Sequence, residues 1–197
     1  HANSAFVSGR YRIIQTLAGG DDIRVFKGNC SYCTECTQEI AAANSGETIT
    51  ILSDLSVNGH CINMSGKDNV TLDCNGKNIQ GNGTTGYYGI FSSVADGANN
   101  TIIKNCANVS YFQYGIYFSY SANVTIINSS AFLNTAGGSG VGFYLENSQN
   151  CNLTDINASQ NNRGIYLFDS RNNTLKNINV SGGQQYGIVI QTQVGEG

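Results

Sequence analysis

The residues of this chain with the most distinctive chemistry are its seven cysteines. Five are candidates for the disulfide bonds typical of secreted proteins: Cys30, Cys33, Cys36, Cys61 and Cys74. The first three, together with Cys61 or His60, are an alternative zinc set, but two overlapping CxxC steps on one helix suit a tetrahedral site poorly. Unpaired core thiols are the third alternative. We assign no metal or cofactor site, and we expect Cys61 to form a disulfide bond with Cys33 or Cys36.

The two remaining cysteines, Cys106 and Cys151, lie in the repeated part of the chain. Because cysteine packs as a small apolar side chain, we expect both to be buried in the core without a partner. The odd total leaves at least one cysteine without an intramolecular partner in any case.

Twelve Asn-x-Ser/Thr sequons could carry N-linked glycans, and glycosylation would imply that this chain is a secreted surface protein. The repeat described below explains four of them, whose amides we expect to stack at turns: Asn69, Asn123, Asn152 and Asn172. Five others fit the repeat less well and are our glycosylation candidates: Asn29, Asn63, Asn82, Asn108 and Asn179. We expect a glycan at Asn82 or Asn108, since both lie in polar segments near a Gly or Ser turn.

Acidic and basic residues do not suggest an active site. Glycoside hydrolysis needs paired carboxylates, and the repeats contain no Asp-Asp pair. The best candidates for a charged cluster on adjacent repeats are Arg163, Asp169, Arg171 and Lys176. We prefer the simpler interpretation, in which Asp169 and Arg171 form an exposed pair on a turn. The sequence therefore predicts no catalytic residue and no enzyme.

The composition excludes several classes of function. Charged residues make up 12% of the chain and the net charge is −3, which argues against binding to a nucleic-acid backbone. No run of about 18 apolar residues occurs, so no membrane span is predicted. With 26 Asn, 24 Gly and no Pro, the chain should contain many turns and little helix. It begins at His1 rather than Met, which favours a processed chain.

Two short motifs alternate along the chain. A Gly-apolar-aromatic motif begins at Gly89, Gly115, Gly142, Gly164 and Gly187. An Asn-led motif rich in β-branched residues interleaves with it, beginning at Asn69, Asn100, Asn123, Asn152 and Asn172. Two strand patterns in every 20–30 residues or so, separated by turn residues, indicate coils that bury their apolar faces only by stacking. The sequence therefore predicts an all-β parallel β-helix, with a β-sandwich as the alternative.

Stacked coils predict which side chains share the core. We expect one inward column of Ile90, Ile116, Phe143, Ile165 and Ile188, and another of Leu72, Ile103, Ile126 and Leu175. Asp155 falls where the second column needs an apolar residue, and an unpaired buried carboxylate is costly. We therefore expect a one-residue slip that turns Ile156 inward. A further column is predicted at Cys74, Asn105, Asn128, Asn157 and Asn177.

Residues 33–44 predict a short capping α-helix, because Cys33, Cys36, Ile40 and Ala43 fall on one face. Such a helix would cover the apolar face of the first coil, which we expect to start at residue 48. Residues 1–29 hold three strand-like runs joined by glycines and no repeat of their own. We interpret them as an N-terminal extended arm that precedes a β-helix domain of residues 30–197.

The start of this domain resembles a known family. The resemblance is carried by Cys33-Thr-Glu-Cys36, Gly46-Glu-Thr-Ile, Cys61-Ile-Asn and the run from Asp68 to Gly76. These segments look like the beginning of archaeal cell-surface right-handed β-helix proteins, which are grouped with the NosD-type periplasmic β-helix family. The resemblance covers about residues 30–190 and implies a right-handed β-helix of about six coils. NosD-type proteins are associated with copper-site maturation, but one Met and two His offer few copper ligands here.

These observations favour a structural role outside the cell. We expect a secreted, N-glycosylated subunit of an extracellular filament or cell-surface layer. The last coil is a template for strand addition, so we expect residues 1–29 of one copy to cover the C-terminal coil of the next, giving a head-to-tail homopolymer. An arm folded back along its own helix is the alternative to docking. Two competing functions are a carbohydrate-binding or adhesive domain that uses Tyr117, Tyr144 and Tyr166, and a polysaccharide-degrading β-helix.

Overall fold

The computed structural model of the chain describes residues 12–16, 23–93, 97–183 and 185–193. Within these ranges one α-helix, α1, spans Cys33–Ala42. The first nine strands are β1 (Arg12–Thr16), β2 (Ile23–Phe26), β3 (Asn29–Cys30), β4 (Thr48–Ile51), β5 (Leu55–Ser56), β6 (Ile62–Asn63), β7 (Thr71–Asp73), β8 (Asn78–Gln80) and β9 (Tyr88–Ser92). The others are β10 (Ile102–Lys104), β11 (Asn108–Ser110), β12 (Tyr114–Ser119), β13 (Thr125–Ser130), β14 (Val141–Glu146), β15 (Asn152–Asn157), β16 (Arg163–Phe168), β17 (Thr174–Asn179) and β18 (Tyr186–Gln191).

From β3 onward the described strands pair in parallel and form three sheets. Sheet I has the strand order β17-β15-β13-β10-β7-β4-β3, sheet II β11-β8-β5, and sheet III β18-β16-β14-β12-β9-β6. Because each strand pairs with its counterparts on the neighbouring coils, the chain is a parallel β-helix, and the predicted fold class is confirmed. The seven strands of sheet I give about seven coils rather than six, because β3 adds a coil before the expected start.

The first two strands stand apart from the three sheets. β1 and β2 pair antiparallel with each other and, among the described strands, with no other. They belong to the predicted arm, whose residues 1–11 and 17–22 lie outside the described residues. The last residue of that arm, Asn29, already belongs to the solenoid, because β3 pairs with β4.

The predicted core columns are confirmed. The Gly-apolar-aromatic motifs align in sheet III, so that the apolar residue after each glycine stacks inward on the next. Leu72, Ile103 and Ile126 align in the same way in sheet I and are fully buried. The next member of that column is Leu153, between Ile126 and the half-buried Leu175. Burial of each large apolar side chain in these columns contributes roughly 1.5–3 kcal/mol to stability.

The expected slip at Asp155 is confirmed, and it is shared by neighbouring coils. Asp155 has a φ of 55° and is exposed, whereas Ile156 is 2% exposed. Asn128 and Asn177 have the same left-handed conformation, with φ of 47° and 52°. Asn177 donates a hydrogen bond from Nδ2 to Oδ1 of Asp155 at 2.8 Å. Asp155 therefore occupies the polar column where we expected Asn157, which instead pairs within the strands of sheet I.

The repeated glycines have a packing reason. A Cβ atom on Gly142 would lie 2.7 Å from the carbonyl oxygen of Gly164 on the next coil and 2.6 Å from Nδ2 of Asn161. Gly89 and Gly115 meet the same obstacle, with the next glycine's carbonyl oxygen at 2.5 and 2.7 Å. The close approach of successive backbones therefore leaves room only for glycine.

Helix α1 covers the first coil as predicted. All four residues of its predicted apolar face are buried: Cys33, Cys36, Ile40 and Ala43. The helix also buries Glu39, whose carboxylate accepts hydrogen bonds from the backbone N–H groups of Lys27 and Gly28 at 2.7 and 3.2 Å. These bonds satisfy the buried charge and fix the entry of the chain into β3.

Candidate functional site

The last described coil exposes apolar side chains at its edge. β18 is the outermost strand of sheet III, and its Tyr186, Ile188 and Ile190 are 58%, 43% and 70% exposed. Together with Arg163 and Tyr166 of β16 they border an open cleft of about 440 Å³. The predicted inward column thus ends in a side chain that no described strand covers.

The two outermost strands of this coil differ in how they are protected. β17 carries Lys176, and a charged side chain on an edge strand discourages pairing with another strand. β18 spans six residues, Tyr-Gly-Ile-Val-Ile-Gln, without a charge. β18 is therefore the edge that is open to strand addition.

The opposite end of the solenoid is closed by α1 and by disulfide bonds. Cys30 pairs with Cys36, and Cys33 pairs with Cys61, which is one of the two pairings predicted for Cys61. The Thr37 hydroxyl also donates a hydrogen bond to the Cys61 carbonyl at 3.1 Å. The two disulfides thus join α1 to β3 and to Cys61, the residue before β6, and none of these four thiols is free to bind zinc.

A third disulfide joins Cys74 to Cys106, so the prediction that Cys106 is unpaired is wrong. The physical reason is that sheet I aligns Asp73 with Lys104, and the left-handed turn at Asn105, with a φ of 58°, then brings Cys106 beside Cys74 on the adjacent coil. Cys151 is free and buried, as predicted. Burial raises the pKa of its thiol, which keeps it neutral and unreactive.

The glycosylation candidates differ in exposure. Four of the five are exposed or half-buried: Asn29, Asn63, Asn82 and Asn179. Asn108 is only 8% exposed, and its Oδ1 accepts a hydrogen bond from the backbone N–H of Phe132 at 3.2 Å. Of the two residues at which we expected a glycan, the fold therefore favours Asn82.

The asparagines that the repeat explains form a ladder at an outer turn. Left-handed φ values between 54° and 58° occur at Asn69, Asn100, Asn123 and Asn172. Nδ2 of Asn123 donates a hydrogen bond to Oδ1 of Asn100 at 3.1 Å. Asn152 was expected in this ladder but lies in β15, and Asn150, with a φ of 56°, takes the turn position. The turn therefore begins two residues earlier on this coil than the motif predicted.

The charged residues considered for catalysis do not form one cluster. Arg163 lies over the ring of Tyr166, 5.2 Å from its centroid, on sheet III, whereas Lys176 lies on sheet I. Arg171 donates from Nε to a glutamine side chain at 2.9 Å, and Asp169 accepts a hydrogen bond from a backbone N–H. Both residues are described, and no salt bridge joins them, so the expected Asp169–Arg171 pair is wrong.

Side chains that bind transition metals are also dispersed. In the part of the chain that the structure describes, no group of three or more His, Cys, Asp or Glu could hold a metal ion. Met64 is fully buried in the core. His60 uses Nδ1 to accept a hydrogen bond from the backbone N–H of Tyr88 at 3.3 Å. Sulfur and imidazole donors therefore do not converge on one point.

The outward aromatic residues of sheet III stack along the solenoid axis. Tyr117, Tyr144 and Tyr166 are in register on three successive strands, with ring centroids 5.1 and 4.8 Å apart. The stack continues to Tyr88, 5.2 Å from Tyr117, and to His60, 5.0 Å from Tyr88. Parallel strands lie about 4.8 Å apart, so the in-register rings of Tyr117, Tyr144 and Tyr166 come into contact, whereas Tyr88 is in register with Tyr114 rather than with Tyr117.

Tyr114, 5.3 Å from Tyr88, completes this set of six residues, which we call the aromatic ladder. Glu146 lies beside it, and its carboxylate accepts a hydrogen bond from the Tyr117 hydroxyl. Burial and, secondly, Glu146 raise the pKa of both Tyr117 and Tyr144, so their hydroxyls stay protonated and remain donors. Sequence reasoning missed Glu146, because the tyrosine it contacts lies on another coil.

Comparisons with known proteins agree with the fold. The model of one protein family, described as "Periplasmic copper-binding protein (NosD)", matches residues 33–196. Searches of the curated proteins and of the solved structures find no match to the chain. No helix among the described residues has the length and apolar character that crossing a membrane requires. The family match covers most of the sequence and coincides with the solenoid and its helical cap, and the chain therefore belongs to the NosD family.

Proposed function

We propose that this chain is a structural subunit of an extracellular filament or cell-surface layer, in which the N-terminal arm of one copy docks on the C-terminal coil of the next. The observation that supports this most directly is the edge strand β18. It has no charged residue, and it exposes Ile188 and Ile190 beside an open cleft. An extended segment added to this edge would pair its backbone and bury both isoleucines.

The opposite end of the solenoid determines which part of the next copy fits this edge. Direct stacking of coil on coil is blocked there, because α1 covers the first coil and two disulfide bonds hold it in place. The hairpin of β1 and β2, in contrast, pairs with none of the other described strands. Docking of this arm joins two different surfaces, so it propagates as a filament unless the rotation between copies closes it into a ring.

The description of the family as copper-binding does not fit the described residues of this chain. Cu(I) prefers thiolate and thioether ligands and Cu(II) prefers imidazoles. Six cysteines are bridged, Cys151 and Met64 are buried, and His60 has no second imidazole beside it among the described residues. We assign no copper-dependent step, and no catalytic step, to this chain.

The proposed function also requires that the protein is located outside the cytoplasm. The family is described as periplasmic, and disulfide bonds persist in oxidising compartments. A surface protein of this kind would carry its N-linked glycans on exposed sequons such as Asn63 and Asn82.

Electron microscopy of negatively stained protein, together with sedimentation velocity, tests the proposal. We expect polymers from the full chain and none after deletion of residues 1–26, which leaves the contacts of Lys27 and Gly28 with Glu39 intact. Ile190→Lys places a charge on the β18 edge and should also abolish polymers. The matched control is Ile102→Lys, on the outward face of β10 in the middle of the solenoid, which should assemble normally. Polymers from the deletion variant would refute arm docking, and a monomeric full chain would refute the filament role.

A further inference from the structure

We propose that the outward face of sheet III binds an extended, uncharged polysaccharide that lies along the solenoid axis across the aromatic ladder. This face adjoins the β18 edge used in assembly, since Arg163 and Tyr166 also border the cleft there, but the inference does not rest on the filament role. It depends on the spacing, the exposed chemistry and the charge of the ladder.

The spacing of the ladder suits a polymer with a short repeat. Consecutive rings along it are separated by 5.0 Å from His60 to Tyr88, 5.2 Å to Tyr117, 5.1 Å to Tyr144 and 4.8 Å to Tyr166. The direction of this series is the direction in which the coils stack. One sugar residue of an extended polysaccharide advances by nearly the same length, so successive sugars would meet successive rungs, of which Tyr117 is only 7% exposed.

The chemistry that the ladder offers is a mixture of apolar ring edges and hydroxyl groups. The rings of Tyr88 and Tyr117, and those of Tyr144 and Tyr166, cover each other's faces with interplanar angles of 22° and 12°, whereas Tyr117 and Tyr144 are tilted by 47°. Solvent therefore meets ring edges and phenol hydroxyls. The Tyr166 hydroxyl donates to Oε1 of Gln191 at 2.7 Å and keeps its capacity as an acceptor.

Other hydroxyls of the ladder are available as donors. No described residue hydrogen-bonds to the hydroxyl groups of Tyr88 or Tyr144, and both side chains are half-buried rather than enclosed. The raised pKa of each keeps it protonated. A ligand that alternates C–H surfaces with hydroxyl groups, as a sugar chain does, matches this pattern.

The charge of the face disfavours a polyelectrolyte as its ligand. In the six strands of sheet III the charged residues are Glu146 and Arg163, one of each sign. Glu146 is engaged by Tyr117 and Arg163 lies over Tyr166. A polyuronate or a polyamine would therefore gain little attraction, whereas an uncharged chain pays no penalty for the missing counter-charges.

Affinity electrophoresis in native gels tests this inference, with hydroxyethyl cellulose, laminarin and polygalacturonate as separate probes. We expect retardation by at least one of the two uncharged polymers and none by polygalacturonate. The chain has 11 Tyr and no Trp, so tyrosine emission should change on binding of the same polymer. Absence of retardation by both uncharged polymers, or stronger retardation by polygalacturonate, would overturn the proposal.

Variants locate the binding surface. Tyr144→Ala should weaken binding at least tenfold, and Tyr144→Phe, which keeps the ring and the stack, about two- to fivefold. Tyr32→Ala is the matched control, because Tyr32 is 59% exposed at the start of α1 and belongs neither to the strands of sheet III nor to the aromatic ladder. Circular dichroism establishes that each variant is folded. Equal weakening by Tyr32→Ala, or unchanged binding by both Tyr144 variants, would refute the ladder as the site.

Discussion

Gly142→Ala is the substitution for which the structure gives the clearest energetic expectation. The added Cβ would lie 2.7 Å from the Gly164 carbonyl oxygen and 2.6 Å from Nδ2 of Asn161. The first atom belongs to the backbone of the next coil, which cannot move without disturbing β16. The second makes hydrogen bonds of 2.8 and 2.9 Å to the Ala131 and Ala158 carbonyls inside the turn.

The size of the effect follows from opposing contributions. Overpacking in a close-packed interior costs about 1–3 kcal/mol, and disturbing a buried hydrogen bond costs about 1 kcal/mol. Replacing glycine by alanine also makes the unfolded chain less flexible, which offsets about 0.4–1 kcal/mol. We expect a net loss of about 2 kcal/mol, and for a chain of this length a fall in Tm of about 4–8 °C.

Gly187→Ala is the control for this substitution. Gly187 occupies the same column on the last described coil. The closest atom to a Cβ placed there would be in the Val180 side chain, at 3.2 Å, and the closest backbone atom would lie 3.8 Å away. We expect a change within about 0.5 kcal/mol. Thermal and urea unfolding, followed by circular dichroism under oxidising conditions, measure both variants. Equal stability of Gly142→Ala and the unsubstituted chain, or an equal loss in both variants, would refute the packing explanation of the motif.

Three further outcomes are expected. The double substitution Cys74→Ser and Cys106→Ser should cost roughly 4 kcal/mol, since it opens a loop with a sequence separation of 32, and a loss below 1 kcal/mol in urea unfolding would contradict this. Burial by itself raises the pKa of Asp73, but the hydrogen bonds that its carboxylate accepts outweigh this effect, so the net pKa is lowered. The native carboxylate therefore stabilises the fold above about pH 4, and this contribution is lost as the pH falls through the lowered pKa. Asp73→Asn should therefore lose less stability than the unsubstituted chain on acidification below about pH 4, and parallel acid-unfolding curves would show that Asp73 is not responsible. In the glycosylated protein, Asn82→Gln should remove one glycan mass in intact mass spectrometry, whereas Asn108→Gln should leave the mass of the glycans unchanged.

The local pattern of the sequence determined the fold class and the core of each coil. Two strand patterns separated by Asn and Gly turns repeat too regularly for a β-sandwich. Within a strand, the apolar residues that point inward lie at every second position. The cost of burying an unpaired carboxylate was enough to predict that Asp155 turns outward and Ile156 inward. These features depend on neighbours in the sequence or on the repeat itself, so they are visible before any coil is stacked.

Only the tertiary structure decided which polar side chains meet on neighbouring coils and which partner Cys74 takes. Cys74 and Cys106 are paired because Asn105, which the motif placed opposite Cys74, takes a left-handed turn with a φ of 58° that leaves Cys106 beside Cys74. The same stacking buried Asn108, which has a sequon like that of exposed Asn82. It also brought Glu146 to the Tyr117 hydroxyl. These contacts follow from the coil-to-coil register, a long-range property that single motifs do not specify.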